Sequence, residues 1–233
     1  LIDKSTGDEP FLKLRAPGWI LGPDSRKMSK RWGNVVTPDD VIPVHGADAM
    51  RMYEMFMGPF SAMKPWGLTG VGGVYRFLKK VWGLSIKYEV SEELDREMNR
   101  TIKRVTEDIE ALKFNTAVSA LMEYVNVLRG FNTKYPSILS SGPKGKIPDT
   151  KYIRALLLVL APFAPHITEE LWQKLGNRQS VHLQPWPAYD SNLIEEQEIT
   201  IPIQVNGKLR ATLSMQYEVS SIQGDVEKIA KDD

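Results

Sequence analysis

Residues Glu92–Leu112, reading EELDREMNRTIKRVTEDIEAL, decide the fold class. Leu94, Met98, Ile102, Val105, Ile109 and Leu112 step by three or four residues, the spacing of one apolar helix face. A second series, Val118, Leu121, Met122, Val125 and Leu128, continues the pattern, with an adjustment of face near Asn115-Thr116. One long helix or two abutting helices fit, and Gly130 is the expected stop. An isolated amphipathic helix gains little in water, so these stripes require partner helices. One partner precedes them: Val71, Val74, Phe77, Leu78, Val81 and Trp82 form an apolar side behind Thr69 as cap, and Gly72-Gly73 implies close packing at its start. The other follows the polar linker Ser140–Lys146. It begins near Asp149 or Thr150 and carries Ile153, Leu156, Leu157, Val159 and Leu160. Pro162 and Pro165 break its register, and a second piece holds Ile167, Leu171, Trp172 and Leu175 before Gly176. The chain is therefore predicted to be mainly α.

Toward the amino end the elements are shorter. Leu12 and Leu14, with Phe11, are expected to close a packed edge, Trp19-Ile20-Leu21 to form a short strand, and Gly22-Pro23-Asp24 a turn. Thr37 or Asp39 can cap a short helix with Pro38 in its first turn. From Gly46 to about Met57, Ala49, Met52, Tyr53 and Phe56 recur at helical spacing, with Asp48 and Arg51 expected to face outward. Gly58-Pro59 ends that helix. At the other end, Ser180–Leu183 reads as an extended segment and Pro185-Trp186-Pro187 as a stiff covering strap. Ile199–Val205, Asn206-Gly207 and Lys208–Leu213 read as a hairpin with Lys208, Arg210 and Thr212 on one face. A last helix is expected from Ser220 or Ser221 toward Ile229.

Composition narrows the function classes. The 233 residues carry 30 basic and 29 acidic side chains, so the net charge of +1 gives no overall polyelectrolyte steering, although a local RNA surface stays open. Without cysteine there is no disulfide framework and no thiolate metal site, and the 3 histidines, His45, His166 and His182, are too dispersed in sequence to suggest a metal site. A packing or capping role is expected for His166, and a solvated face for Glu169-Glu170. No signal peptide is read at Leu1–Ser5, and the apolar run Ala155–Ala164 is too short to span a bilayer. A soluble intracellular, cytoplasmic chain is expected, and the missing initiator methionine suggests processing or a fragment.

Lys27-Met28-Ser29-Lys30 stands in a glycine-punctuated polar segment, Gly22–Asn34, and runs into Arg31-Trp32-Gly33-Asn34. Two lysines and an arginine among small residues suit a loop that meets phosphate. A solvated basic turn is the plainer reading, with Trp32 as its half-buried anchor. The longer string KMSKRWGNVV resembles the KMSKS signature loop of class I aminoacyl-tRNA synthetases, and Gly46–Arg51 resembles the helix that follows it. Arg76-Phe77-Leu78 with Val81-Trp82 looks like the opening of their anticodon-binding bundle. The run LAPFAPHITEELW at Leu160–Trp172 is similar to a signature of that bundle, continued by Ser180-Val181-His182 and Pro185-Trp186-Pro187. Within the group for leucine, isoleucine, valine and methionine, Gln204–Arg210 resembles the start of the carboxyl-terminal domain of bacterial-type leucyl-tRNA synthetases.

The resemblance implies three parts: residues 1–65 as the end of a Rossmann-type catalytic domain, 66–190 as a class I anticodon-binding helical bundle, and 191–233 as the start of a small α+β domain. It implies ATP with Mg2+, leucine and tRNA(Leu) as substrates, no metal site in this chain and no membrane. Lys27 and Lys30 match the signature lysines, with Lys30 as the phosphate contact in the transition state. Met28 and Ser29 would seat the loop against adenine. Arg31 stands where the motif has serine, which removes that serine's usual contact and offers a further phosphate contact. Gly33 and Asn34 match residues that shape the loop exit. Arg100, Lys103 and Arg104 on the bundle and Lys208 and Arg210 on the hairpin are the implied tRNA contacts. The His-Ile-Gly-His motif, leucine pocket, editing domain and zinc insertion of the family are not in these residues, so a missing amino-terminal portion, in cis or as a separate subunit, is expected to complete the enzyme. The final strands expected in the last domain are likewise not in them. A stand-alone tRNA-binding module or a non-catalytic scaffold are the alternatives.

Overall fold

A computed structural model describes residues 13–67, 69–84, 88, 90–134, 150–194, 198–205 and 208–216. The expectations for Phe11, Leu12, the 140–146 linker, the Asn206-Gly207 turn and the last helix lie outside them. The chain divides into two compact units, Leu1–Tyr189 and Asp190–Asp233.

The first unit opens with β1 (Ile20–Leu21), followed by α1 (Pro38–His45) and α2 (Ala47–Phe56), which lead to β2 (Lys64–Pro65). The two short strands pair in parallel, Ile20 opposite Lys64 and Leu21 opposite Pro65. Thr37 caps α1 as expected: its backbone N–H and its hydroxyl both donate to the Asp40 carboxylate, at 2.8 and 2.6 Å. The bundle proper is α3 (Gly70–Trp82), α4 (Glu92–Glu110), α5 (Phe114–Lys134), α6 (Lys151–Leu160) and α7 (Pro165–Lys174). The stripe on Glu92–Leu112 is thus one helix, and the following series belongs to a second. Leu112 sits at φ 57°, in the left-handed region, and turns the chain between them. Gly130 does not stop α5, which continues to Lys134.

Helix α4 packs on α5 and α6, and α2 ties α3, α5 and α7 together. Leu94, Ile102 and Val105 on α4 meet Val118, Leu121, Val125 and Leu128 on α5 in the core, with Leu156, Leu157 and Leu160 from α6. The buried tyrosines carry polar ends to partners, as buried hydroxyls must. Tyr152 donates to Asp95 at 2.8 Å and accepts from the Ser91 N–H at 3.1 Å, and the Tyr124 hydroxyl donates to the Tyr152 carbonyl at 3.3 Å. Burial holds the Tyr124 hydroxyl well above the usual phenol range. Phe114 stands edge-on to both Phe60 and Phe163, at 5.8 and 6.4 Å between ring centres, so the segment after α2 is locked to the bundle.

Several local expectations change. Leu14 is exposed and closes no edge. Gly72 and Gly73 are open: an added Cβ would meet only the Arg76 guanidinium and His45 at ordinary contact distance. The close approach is at Gly70, where a Cβ would lie 2.3 Å from Tyr53 Cε2. Tyr53 cannot retreat, because it is buried, stands edge-on to Trp66 at 5.1 Å, and accepts from the Gly67 N–H at 3.0 Å. Gly70→Ala is expected to cost about 1–3 kcal/mol through overpacking, measured by urea unfolding, whereas Gly72→Ala should be neutral or slightly stabilising.

Trp82 does not join the apolar side of α3. It is 47% exposed, with the Lys174 ammonium 3.6 Å from its ring centre. Val181–Leu183 forms a 3-10 turn rather than an extended segment, because Glu169 pins its start: the carboxylate accepts from Ser180 Oγ at 2.7 Å and the Val181 N–H at 3.0 Å. Glu169 is therefore a tether and not a merely solvated side chain. The strap beyond it is fastened by Trp186 Nε1 donating to Thr106 Oγ1 at 2.8 Å. The hydrogen bond from Ser180, ahead of those from Gln173 and Val181, lowers the Glu169 pKa below its ordinary 4.5. A depressed carboxylate stabilises the fold fully above the unfolded pKa and loses that contribution as pH falls through the folded one. Glu169→Gln should therefore flatten part of the stability loss below pH 4.5 in acid titrations followed by circular dichroism.

The second unit contains β3 (Glu198–Val205) and β4 (Lys208–Gln216), an antiparallel pair. Partners run from Glu198 opposite Gln216 to Ile203 opposite Ala211, then shift so that Gln204 faces Leu209. Arg210 is the extra residue of this bulge, which interrupts the simple alternation expected of Lys208, Arg210 and Thr212.

Candidate functional site: the basic loop

The loop from Gly22 to Asn34 leaves β1 and is closed at its base by a bridge between Leu21 and Lys27. Its first turn is made by Gly22 N–H donating to the Arg26 carbonyl at 2.8 Å and Ser25 N–H to the Gly22 carbonyl at 2.9 Å. Ser29 then caps a 3-10 turn, Lys30–Trp32, that ends at Gly33 in the left-handed conformation, φ 63°. The cap is Ser29 Oγ accepting from the Arg31 N–H at 3.2 Å.

Asn34 joins the two sides of the loop. Its Oδ1 accepts from the Ser29 N–H at 2.8 Å, and its Nδ2 donates to Asp24 Oδ1 at 2.9 Å and to the Lys27 carbonyl at 3.4 Å. Gly22 leaves room for it, since a Cβ there would lie 2.7 Å from Asn34 Nδ2. The Asn34 bond is also the first cause holding the Asp24 carboxyl below its usual range. Sequence placed Asn34 only at the loop exit; its role as the cross-link was missed, because a side chain that reaches back ten residues leaves no local periodicity. Asn34→Ala should raise amide exchange across Ser29–Gly33 by about tenfold without shifting the bundle's melting temperature, because the three hydrogen bonds it removes all lie within the loop.

The cations are differently committed. Arg26 pairs with Asp24 at 3.3 Å, and its guanidinium lies 5.2 Å from the Trp32 ring centre. Arg31 lies 5.5 Å from the same ring. Trp32, 56% exposed, is thus a surface platform for two arginines rather than a half-buried anchor. The Lys27 ammonium rests 3.9 Å from the Trp19 ring centre. Met28 packs against the core and seats the loop. Lys30 is exposed and has no ion-pair partner among the described residues. The structure therefore gathers Lys27, Met28, Ser29, Lys30 and Arg31 in one loop, with Asp24 the single acid bonded to it among the described residues. Arg31 contributes through its backbone, whose N–H completes the Ser29 cap.

The bundle residues stand otherwise. Arg100 is paired with Glu97 at 3.0 Å and Arg104 with Glu123 at 2.7 Å, so phosphate would have to compete with carboxylates there. Lys103 is partly buried on the same helix. Lys208 and Arg210 begin β4 in the second unit. Asp48 faces inward, not outward. It is buried, and its carboxylate accepts from the His166 N–H at 3.2 Å, the Ile167 N–H at 2.7 Å and His166 Nδ1 at 2.7 Å, capping α7 from α2. Arg51 is the outward residue, 3.4 Å from the Pro162 carbonyl. Among the described residues no group of three His, Cys, Asp or Glu side chains could hold a metal ion, and no helix is long and apolar enough to cross a membrane.

Residues 92–220 match the family described as the anticodon-binding domain of tRNA ligase. The chain belongs to that family. Residues 3–64, which hold the basic loop, match tRNA synthetases class I (I, L, M and V). The chain is 46% identical over 215 residues to a leucine--tRNA ligase of Mycoplasma mycoides, covering 90% of this chain and 25% of that protein. It is 47% identical over 215 residues to a leucine--tRNA ligase of Chloroherpeton thalassium, covering 88% and 25%. It therefore spans about a quarter of the length of these curated relatives. Among solved structures, the ternary complex of Agrobacterium radiobacter K84 agnB2 LeuRS with tRNA and LeuAMS superposes with a TM-score of 0.74 at 31% identity, over 97% of this chain and 31% of that one. Methionyl-tRNA synthetase of Mycobacterium tuberculosis superposes with a TM-score of 0.54 over 68% of this chain and 37% of its own, and at 14% identity that likeness concerns the fold alone.

Proposed function

We propose that this chain supplies the phosphate-facing loop and the tRNA-binding bundle of a cytoplasmic leucine--tRNA ligase, with the rest of the catalytic domain provided by the portion that its relatives carry in addition. The observation that carries the reading is the basic loop, tied by Asn34 and presenting an unpaired Lys30, in a chain 46% identical to leucine--tRNA ligases over 215 residues. In this reading residues 1–65 end the catalytic domain, 66–190 form the bundle and 191–233 begin a further domain.

The reaction joins the leucine carboxylate to the α-phosphorus of ATP, bound with Mg2+, and expels pyrophosphate. Negative charge grows on the departing oxygens, and a preorganised cation there lowers the barrier. Lys30 meets that charge. Lys27 leaves the Trp19 face to join it, exchanging a cation–π contact for a charge-assisted hydrogen bond. Met28 and Ser29 set the loop against adenine, and Arg31, next to Lys30, offers a further phosphate contact. Transfer of leucine to tRNA(Leu) then uses the bundle and the hairpin, where Arg100, Lys103, Arg104, Lys208 and Arg210 contact the RNA backbone.

Filter binding of the 233-residue chain to tRNA(Leu), with an unrelated tRNA as control, tests the tRNA half of this reading. Retention of tRNA(Leu) that weakens steeply with salt is expected. No retention at low salt would leave the scaffold reading in its place.

A further inference from the structure

A groove of about 380 Å³ opens beside the junction of α1 and α2, between α3 and α7. Ala49, Leu78 and Ile167 contribute apolar lining, and Tyr75, Trp82 and Lys79 stand at its walls. We propose that this groove seats one unpaired base of a bound RNA strand, stacked on Trp82, with the neighbouring phosphate held by Lys174 and Lys79. The proposal rests on the reading that the chain binds tRNA and goes further, by naming a place and a mode of contact.

Three observations favour this occupant. The first is the aromatic surface. Trp82 is 47% exposed on a helix whose Val71, Val74, Phe77, Leu78 and Val81 are buried, and exposed aromatic faces are the usual platforms for unpaired bases. The second is charge. Helix α3 carries Arg76, Lys79 and Lys80 and no acid, and α7 brings Lys174 over the Trp82 ring together with two acids, Glu170 beside Lys174 and Glu169, which is bonded to Ser180 and Val181. The acid lining the groove, Asp48, already accepts hydrogen bonds at both oxygens from the start of α7. The α3 wall is therefore complementary to a phosphate strand and repels a basic peptide.

The third is the resting arrangement of the lysines. Lys174 Nζ lies 3.6 Å from the Trp82 ring centre and Lys79 Nζ 4.6 Å from that of Tyr75, while the Glu170 carboxylate is 3.6 Å from Lys174. Both ammonium groups sit on π faces at the solvent edge. A base arriving on Trp82 displaces Lys174 by a side-chain rotation and leaves it free to pair with the attached phosphate. The volume suits a single planar group, near the lower end of the ~300–1,000 Å³ of small-ligand sites.

The test is filter binding of a tRNA(Leu) transcript and of a uridine 12-mer at fixed salt, with the full 233-residue chain and three variants. Trp82→Ala should weaken both RNAs by about tenfold, and Trp82→Phe should restore most of the affinity. Lys79→Gln, at an exposed position where folding is not at stake, should weaken binding a few-fold and reduce the salt slope by about 1. Thermal melting of Trp82→Ala separates lost contact from lost fold. If wild type binds RNA and all three variants bind it equally well, the groove is not the seat and the inference is overturned while the tRNA reading stands. If wild type binds neither RNA, the tRNA reading fails and the groove falls with it. If Trp82→Ala leaves RNA binding intact and changes the sedimentation coefficient, the groove is a protein seat, which also overturns the inference.

Discussion

Lys30→Ala should slow leucine-dependent pyrophosphate exchange by about 100- to 1,000-fold once the chain is combined with the rest of its catalytic domain. The size follows from how the loop distributes its cations. Arg26 is neutralised by Asp24, and Arg26 and Arg31 share the Trp32 face. Lys27 rests on Trp19. Lys30 alone among these loop cations has neither an acid nor a ring contact among the described residues, so its ammonium is available to the phosphates at the least cost of rearrangement. The loss should fall on kcat with KM for ATP changed far less, since the charge that Lys30 meets develops in the transition state. The fold should be untouched, because Lys30 is exposed and its backbone is held by Ser29 and Gly33. Steady-state exchange kinetics with unchanged circular dichroism check both halves.

Asp48→Ala is expected to be the most damaging single change outside the hydrophobic core. It removes a buried carboxylate that caps α7 through two backbone N–H groups and orients the His166 ring. Hydrogen bonds to a charged acceptor and the exposure of orphaned N–H donors together place the cost at about 2–3 kcal/mol. For a domain of this size that is a fall in Tm of roughly 5–10 °C. Asp48→Asn keeps an accepting oxygen and should recover part of the loss. Differential scanning fluorimetry of the three proteins makes the comparison. Asp48 lies on α2, the second helix after the basic loop, and fastens it to α7, so its loss also loosens the connection between that helix and the bundle.

What the sequence made legible follows from the range of the forces involved. The α4 and α5 stripes were readable because burial of a helix face repeats every three or four residues, and Leu94, Ile102, Val105, Leu121 and Leu128 do enter the core. The Thr37 cap and the β1 strand were readable because their chemistry is local. The inward turn of Asp48 was not: its partners are 118 and 119 residues away, and a charged side chain at a helical position looks the same whether it meets water or another helix's N-terminus. Gly70 was passed over for Gly72-Gly73 for the same reason, since the crowding comes from Tyr53 in a different helix. Trp82 shows the opposite error. Its spacing fits the apolar side of α3, yet its ring stays half-exposed under the Lys174 ammonium, while Val81 beside it and Leu84 beyond it enter the core. In the basic loop the lysines were legible by type and by resemblance, while the frame that separates Lys27 from Lys30, made of Asn34, Trp19 and the Ser29 cap, depends on contacts no spacing rule contains.

On the proposed function this chain holds the phosphate-facing part of a leucyl-adenylate site whose remaining residues lie in the portion that relatives carry in addition. Leucine-dependent ATP–pyrophosphate exchange, measured on the 233 residues alone and again after addition of that further portion, is the decisive measurement. The predicted result is no exchange from either part by itself and leucine-dependent exchange from the combination, abolished by Lys30→Ala. Exchange by the 233 residues alone, or a combination that prefers isoleucine, valine or methionine to leucine, would contradict it.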